Sequence, residues 1–233
     1  MKPRDRRFLT HLTWSGSLVV VMALAIGTWA ALPFVKYQLT PQQHIVLQLE
    51  TTKEVPSITP IVSDQVAAIV QKRVDGLGLA GASIATAPGD RIVVDVRAPD
   101  VKVANLRTVV AERGVLEFKI CPPKVRSYAG CGQVVATGAE LRNAQAGFGT
   151  GGEPQVNFTT KNPVAFERLT RNYTGQWLGI FLDGRSVSVA TIEGVISSSG
   201  MIHGTFTEEQ VKEMATELNA GTLPVPVRIV EPT

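Results

Sequence analysis

At 233 residues, with 44% hydrophobic and 18% charged side chains, the chain is long enough for one or two globular domains and too apolar to be disordered. Its net charge is +3. Lys2, Arg4, Arg6 and Arg7 against Asp5 already give +3 within residues 1–7, so the rest of the chain sums to zero, which removes most of the case for nucleic-acid binding, a function that needs clustered Lys and Arg on the folded domain.

The basic tail, 1–7, leads into an apolar segment, 8–36. The 18 positions from Leu18 to Val35 carry no charge, about 27 Å of helix against a hydrocarbon core of about 30 Å. Trp14 and Trp29 stand near its two ends, where aromatic rings prefer the interface. A cleaved signal peptide is the competing reading, with Ala25-Ile26-Gly27 as a small-residue site, but the apolar run continues beyond it. The expectation is a single uncleaved transmembrane helix, with residues 1–7 in the cytoplasm and everything after Lys36 exported. Between Leu18 and Val35 there is no ionisable side chain to relay protons, and His11 lies too near the basic end to form a relay.

Residues 37–120 read as a first α+β unit. HIVLQLE is a strand and TTKEVPSITP a loop. SDQVAAIVQKRVDGLG is a helix that Ser63 can cap, with Val66, Ile69, Val70, Val74 and Leu77 at helical spacing. ASIATA and DRIVVDVRA are strands joined at Pro88-Gly89-Asp90, VANLRTVVAERG is a second helix closed by Gly114, and VLEFKI is a fourth strand. The order βαββαβ is the ferredoxin-like, or split βαβ, arrangement.

Residues 121–136 form a Cys-flanked hairpin between units. Bridging Cys121 to Cys131 would close an 11-residue loop, worth about 3 kcal/mol by chain entropy; a metal site or two free thiols are the alternatives. An exported location favours the bridge.

Residues 137–233 read as a second, related α+β unit. TGAELRNAQAG is expected as a short helix, PQVNFTT as a strand, NPVAFERLTRNYTG as a helix with Pro163 early, and QWLGIFLDGR as a strand ending at Asp183-Gly184. Extended segments follow through SVSVATIEGVISSSGMIHG. Thr207 and Gln210 then make a capping box for a helix striped by Val211, Met214, Ala215 and Leu218, with Gly221 at a left-handed C-cap. VPVRIV is a strand that Pro224 and Pro226 confine to an edge.

Catalytic chemistry is sparse. Gly76 to Gly81 matches GxGxxG but follows a helix instead of a strand, so it reads as a helix stop and not a cofactor loop. His11, His44 and His203 have no partners at ligand spacing. No Ser, Cys or Lys stands in a nucleophile context. Glu208 and Glu209 suit a first helical turn, Asp183 suits a turn, and Asn157 and Asn172 head glycosylation sequons that matter only where such sugars are attached. The expectation is a non-enzyme without cofactor or metal.

Several stretches together resemble the first exported domain of SecD, the accessory subunit of the bacterial Sec translocase. They are Arg73-Val74-Asp75-Gly76-Leu77-Gly78, Asp90-Arg91-Ile92-Val93-Val94, Leu116-Glu117-Phe118, Thr137-Gly138, Leu169-Thr170, Leu182-Asp183-Gly184, Phe206-Thr207-Glu208-Glu209 and Leu223-Pro224-Val225-Pro226. The resemblance covers about residues 45–230 in order. It implies a bacterial inner (or thylakoid) membrane location and a head that engages an exported polypeptide, with Phe206, Leu223, Val225 and Val227 as candidate contacts. The family's Asp-Leu-x-Gly-Gly segment has no match in VLQLETT, and the further spans of its relatives, with their acidic residues, have no counterpart before Thr233. The alternative reading is a structural subunit of another membrane complex that keeps the SecD fold.

Overall fold

The computed structural model describes residues 42–79, 81–98, 100–122 and 130–230. The segment expected as a membrane anchor lies outside them. Among the described residues, no helix is long and apolar enough to cross a membrane.

The fold is α+β, with every strand pairing antiparallel. The first part of the chain gives β1 (Gln42–Leu49), α1 (Pro60–Gly76), β2 (Ser83–Ala87), β3 (Arg91–Arg97) and α2 (Asp100–Ala111). β3 alternates strictly, burying Ile92, Val94 and Val96 while Arg91 and Arg97 stay exposed, the pattern of a strand with one face on a core. Val66, Val70 and Val74 of α1 and Val103, Leu106 and Val110 of α2 cover that face. Thr59, not Ser63, caps α1: its side chain accepts from the Val62 amide and Pro60 occupies the first helical turn.

The fourth strand of this sheet is not VLEFKI. The order is β11-β1-β3-β2, and β11 is Val227–Val230, at the far end of the described chain. It pairs with β1 through Val46↔Val230 to Leu49↔Val227 and, as its two preceding prolines require, lies at the edge. Leu223, Val225 and Val227 complete the first core.

Residues 115–221, between α2 and β11, build a second body, the head. β4 (Leu116–Cys121) pairs with β5 (Gln133–Thr137) and β8 (Trp177–Leu182), and β8 pairs with β9 (Arg185–Thr191), giving a sheet ordered β5-β4-β8-β9. β6 (Leu141–Phe148), β7 (Pro154–Thr160) and β10 (Ser199–His203) make a three-stranded sheet ordered β10-β7-β6. This does not repeat the first sheet. The expected helix at TGAELRNAQAG is instead one 3-10 turn, Gly138–Glu140, followed by β6; pairing with β7 overrides the helical propensity of its Ala, Leu and Arg. The hairpin holding the cysteines joins β4 to β5, so it belongs to the head and does not separate two units.

Helices α3 (Pro163–Asn172) and α4 (Glu208–Ala220) cover the head. Phe118 from β4, Phe158 from β7 and Phe166 from α3 meet with ring centroids 6.0–6.1 Å apart in tilted and edge-on geometry, tying both sheets to a helix. α4 carries the expected capping box: the Thr207 amide donates to Gln210 Oε1 at 2.8 Å and the Gln210 amide to Thr207 Oγ1 at 3.2 Å. Its stripe of Val211, Met214 and Ala215 enters the head core. Gly221 has positive φ (94°) but ψ 173°, so the helix ends in an extended turn and not the left-handed one expected.

Candidate functional site

Because the head is inserted between α2 and β11, two lengths of chain join it to the first sheet. They run side by side at a neck. The Leu223 amide donates to Arg113 O at 2.8 Å, Thr222 Oγ1 donates to Gly114 O at 2.9 Å, and an Arg113 guanidinium nitrogen donates to Leu223 O at 3.4 Å. On the head side, the Asp183 carboxylate in the β8–β9 turn accepts from the Gly114 and Val115 amides at 3.1 and 2.8 Å.

Arg73, fully buried on α1, locks this neck. Its guanidinium donates to Val109 O, Glu112 O, Arg113 O and Gly221 O, carbonyls at the C-terminal ends of α2 and α4. Those are the acceptors a helix end leaves without partners, at the negative end of its dipole. A planar fork of five donors on one fixed charge suits several carbonyls at once. Gly114 makes room: its φ is +74°, and a Cβ there would lie 2.8 Å from Arg73 Nη2. The helices also touch closely at Gly76, where a Cβ would fall 2.7 Å from Thr216 Cγ2 of α4.

Glu217 of α4, 4% exposed, shares this interior. Burial drives its carboxyl up to about 8, only partly offset by the Arg73 charge, while Glu112, Asp183 and Glu213 add repulsion that favours the protonated form. Burial also lowers the proton affinity of Arg73 from its ordinary value, with Glu217, Asp183 and Glu112 opposing it.

Two clefts flank α4. One, of about 900 Å³, lies between α1, α2, α4 and β6 and carries both signs of charge, with Lys72, Lys102 and Lys212 against Asp75, Glu209 and Glu213. The other, of about 500 Å³, lies on the β9 side and includes Phe206, Val187 and Glu217. Among the described residues, no cluster of His, Cys, Asp and Glu could hold a metal ion.

The residues singled out from sequence fall apart in space. Phe206 is half-buried against the head core and lines the smaller cleft. Leu223 and Val225 are fully buried and Val227 is 9% exposed, all in the first core, so their side chains are not a contact surface. Cys121 and Cys131 are bonded to each other, with Cα atoms 4.0 Å apart. Their sulfurs lie over Gly179 of β8, where a Cβ would approach Cys121 Sγ to 2.8 Å. His44 pairs with Asp95 at 2.6 Å, and Glu208 with Lys212 at 2.6 Å. The sequence reading missed Arg73 and Glu217 as a pair. The signal was there for Arg73, three residues after Val70 and seven after Val66 on the buried stripe, where a cation must find partners.

A head of two antiparallel sheets, set into a smaller α+β sheet and clamped at a neck of two chain segments, defines an insertion-type α+β domain. The fold superposes on a solved structure described as "Structure and function of a membrane component SecDF that enhances protein export" with TM-score 0.71 and 26% identity, over 82% of this chain and 99% of that one. Residues 122–225 match the family model "SecDF, P1 head subdomain". The chain is 29% identical over 219 residues to the protein translocase subunit SecD of Dictyoglomus turgidum, covering 92% of this chain and 52% of the relative. It is 34% identical over 178 residues to that of Sebaldella termitidis, covering 75% and 42%. The chain belongs to the SecD family and contains its exported head domain. It spans about half the length of these curated relatives.

Proposed function

We propose that this chain is a non-catalytic, membrane-anchored accessory protein of protein export, and that its head engages the translocating polypeptide. The observation that carries the reading is the head itself, inserted through a locked neck and flanked by an open, mixed-charge cleft of about 900 Å³. An enzyme pocket usually converges a few polar groups on one point; this cleft spreads opposite charges along three helices, which suits a chain of varied sequence. The similarity to SecD translocase subunits favours this over a structural subunit of another complex.

In this reading residues 8–36 anchor the protein in the bacterial inner (or thylakoid) membrane, the tail stays cytoplasmic, and the Sec translocase is the membrane partner. The first sheet, with its order β11-β1-β3-β2, serves as a ferredoxin-like base. Photo-crosslinkers placed at Phe206 and Lys72 in the full chain, during translocation of a stalled precursor into membrane vesicles, test the proposal. Precursor adducts are expected from both sites. A single constant membrane protein captured from both, without precursor, would point to a structural subunit instead.

A further inference from the structure

The three-stranded sheet of the head has two edges, and the fold treats them differently. At the β6 edge, the Asn219 side chain of α4 accepts from the Ala144 amide at 2.8 Å and donates to Ala144 O at 2.7 Å. One amide side chain thus stands in for a neighbouring strand. At the opposite edge, among the described residues, β10 pairs only with β7.

Which groups β10 leaves open follows from the ladder. The Thr160 amide donates to Ser198 O at 2.9 Å, in the same register that sets Phe158 opposite Gly200 and Val156 opposite Ile202. Hydrogen-bonded pairs recur at every second residue of an antiparallel ladder. Gly200 and Ile202 therefore face β7, and Ser199, Met201 and His203 turn their N–H and C=O groups to the open edge. Among the described residues, no main-chain hydrogen bond from elsewhere reaches these three. Ala144 gives an independent check: opposite Phe158 on the other side of β7, it points outward, as the same alternation requires.

Native sheets usually blunt such an edge with Lys, Pro, a bulge or a cover. β10 reads SGMIH, with no Lys, Arg, Asp, Glu or Pro, and Met201 is 53% exposed. Beside it, on the outer face of the sheet, lies a hollow of about 280 Å³ lined by Asn143, Gln145, Asn157, Thr159, Ser199 and Met201. Carboxamides and hydroxyls offer both donors and acceptors, and a thioether adapts to many shapes.

We propose that the free edge of β10, with the hollow beside it, receives an extended, uncharged stretch of client polypeptide as a fourth strand. The main chain would supply affinity by pairing with Ser199, Met201 and His203, and alternate side chains would fall over the hollow. An edge without charged residues selects a segment without them. A second copy of this chain fits less well, because pairing one five-residue strand buries far less than the roughly 1,200 Å² of a stable interface. The inference rests on the reading of the head as the part that engages polypeptide.

The test is fluorescence anisotropy of the full chain in detergent with labelled α-lactalbumin, reduced and carbamidomethylated so that it stays unfolded. Met201→Pro removes an outward amide without breaking the β7 ladder, and Met201→Lys adds an edge charge while keeping the strand. Met201→Pro is expected to weaken binding about fivefold, the scale of one lost hydrogen bond, and Met201→Lys by about the same factor, because its charge would be partly desolvated against an uncharged strand. Ala85→Lys, on the β2 edge of the first sheet, should leave it unchanged. Where Met201→Pro shifts the melting temperature, Met201→Lys carries the comparison. Wild-type binding by a natively melting Met201→Lys overturns the β10 edge while leaving the proposed function standing, also where that variant loses a self-association seen in the wild type. No binding by the wild-type chain overturns both.

Discussion

Arg73 and Glu217 are opposite charges buried at one neck, and the environment treats them differently. The two terminal nitrogens of the guanidinium donate to four main-chain carbonyls, while its buried Nε has no hydrogen-bond partner among the described residues, and a group so bonded keeps its charge in a low-dielectric site. The Glu217 carboxyl is held up to about 8 against an ordinary value of 4.5, with burial as the main cause. Its folded form therefore binds a proton more tightly than its unfolded form. Between pH 4.5 and 8 the folded state carries a proton the unfolded state lacks, so this contribution to stability is full below pH 4.5, falls as pH rises to about 8, and is gone above it. Glu217→Gln keeps the shape of the protonated acid and removes the titration. Its melting temperature should exceed that of the wild type at pH 8 and above, by an amount corresponding to a few kcal/mol, and the gap should close towards pH 5. Parallel melting curves for the two proteins across that range would show that Glu217 is solvated or firmly ion-paired.

At the scale of elements, the β4–β5 hairpin shows what a covalent clamp adds to a sheet edge. The ladder shifts register between Phe118 and Lys119, β5 is the edge strand, and the bonded cysteines are ten residues apart. Gly179 on β8 leaves space for the sulfurs. Closing this loop should contribute about 3 kcal/mol. The variant Cys121→Ala/Cys131→Ala should lose roughly 2–3 kcal/mol in denaturant unfolding, while the first sheet keeps its hydrogen-exchange protection. Unfolding at an unchanged midpoint would mean the edge is held by its hydrogen bonds alone. Elements were also where the sequence was most readable. The alternation of β3 and the capping box of α4 are written in neighbouring residues. β6 was not legible: RNAQAG suits a helix locally, and only β7, several residues on, makes it a strand. The cap of α1 was ambiguous for a similar reason, since Thr59 and Ser63 are both capping residues and only Pro60 distinguishes them.

At the scale of the whole molecule, the connectivity misled most. VLEFKI follows α2 at the distance a fourth strand should, and nothing in its six residues tells which sheet it will join. The sheet takes β11 instead, so Leu223, Val225 and Val227 belong to a core begun with Ile45 and Leu47. That was hidden because the partners lie across the entire head, and the same distance made exposed contacts of what are core residues. A consequence follows for how the molecule comes apart. The two ends of the head meet where the Leu223 amide donates to Arg113 O at 2.8 Å, close enough for a short linker to replace everything between. With residues 115–221 exchanged for two or three glycines and serines, the four strands of the first sheet and both its helices remain, in the size range of independently folding domains. That protein should melt cooperatively and show dispersed amide resonances, at lower stability because α1 loses α4 at Gly76. Removing only residues 222–230 deletes far less chain but takes an edge strand and three apolar side chains from the core. It should abolish cooperative folding of the first sheet. The reverse result, with the short truncation native and the large excision unfolded, would place the stabilising contacts of the first sheet in the head and contradict the insertion reading.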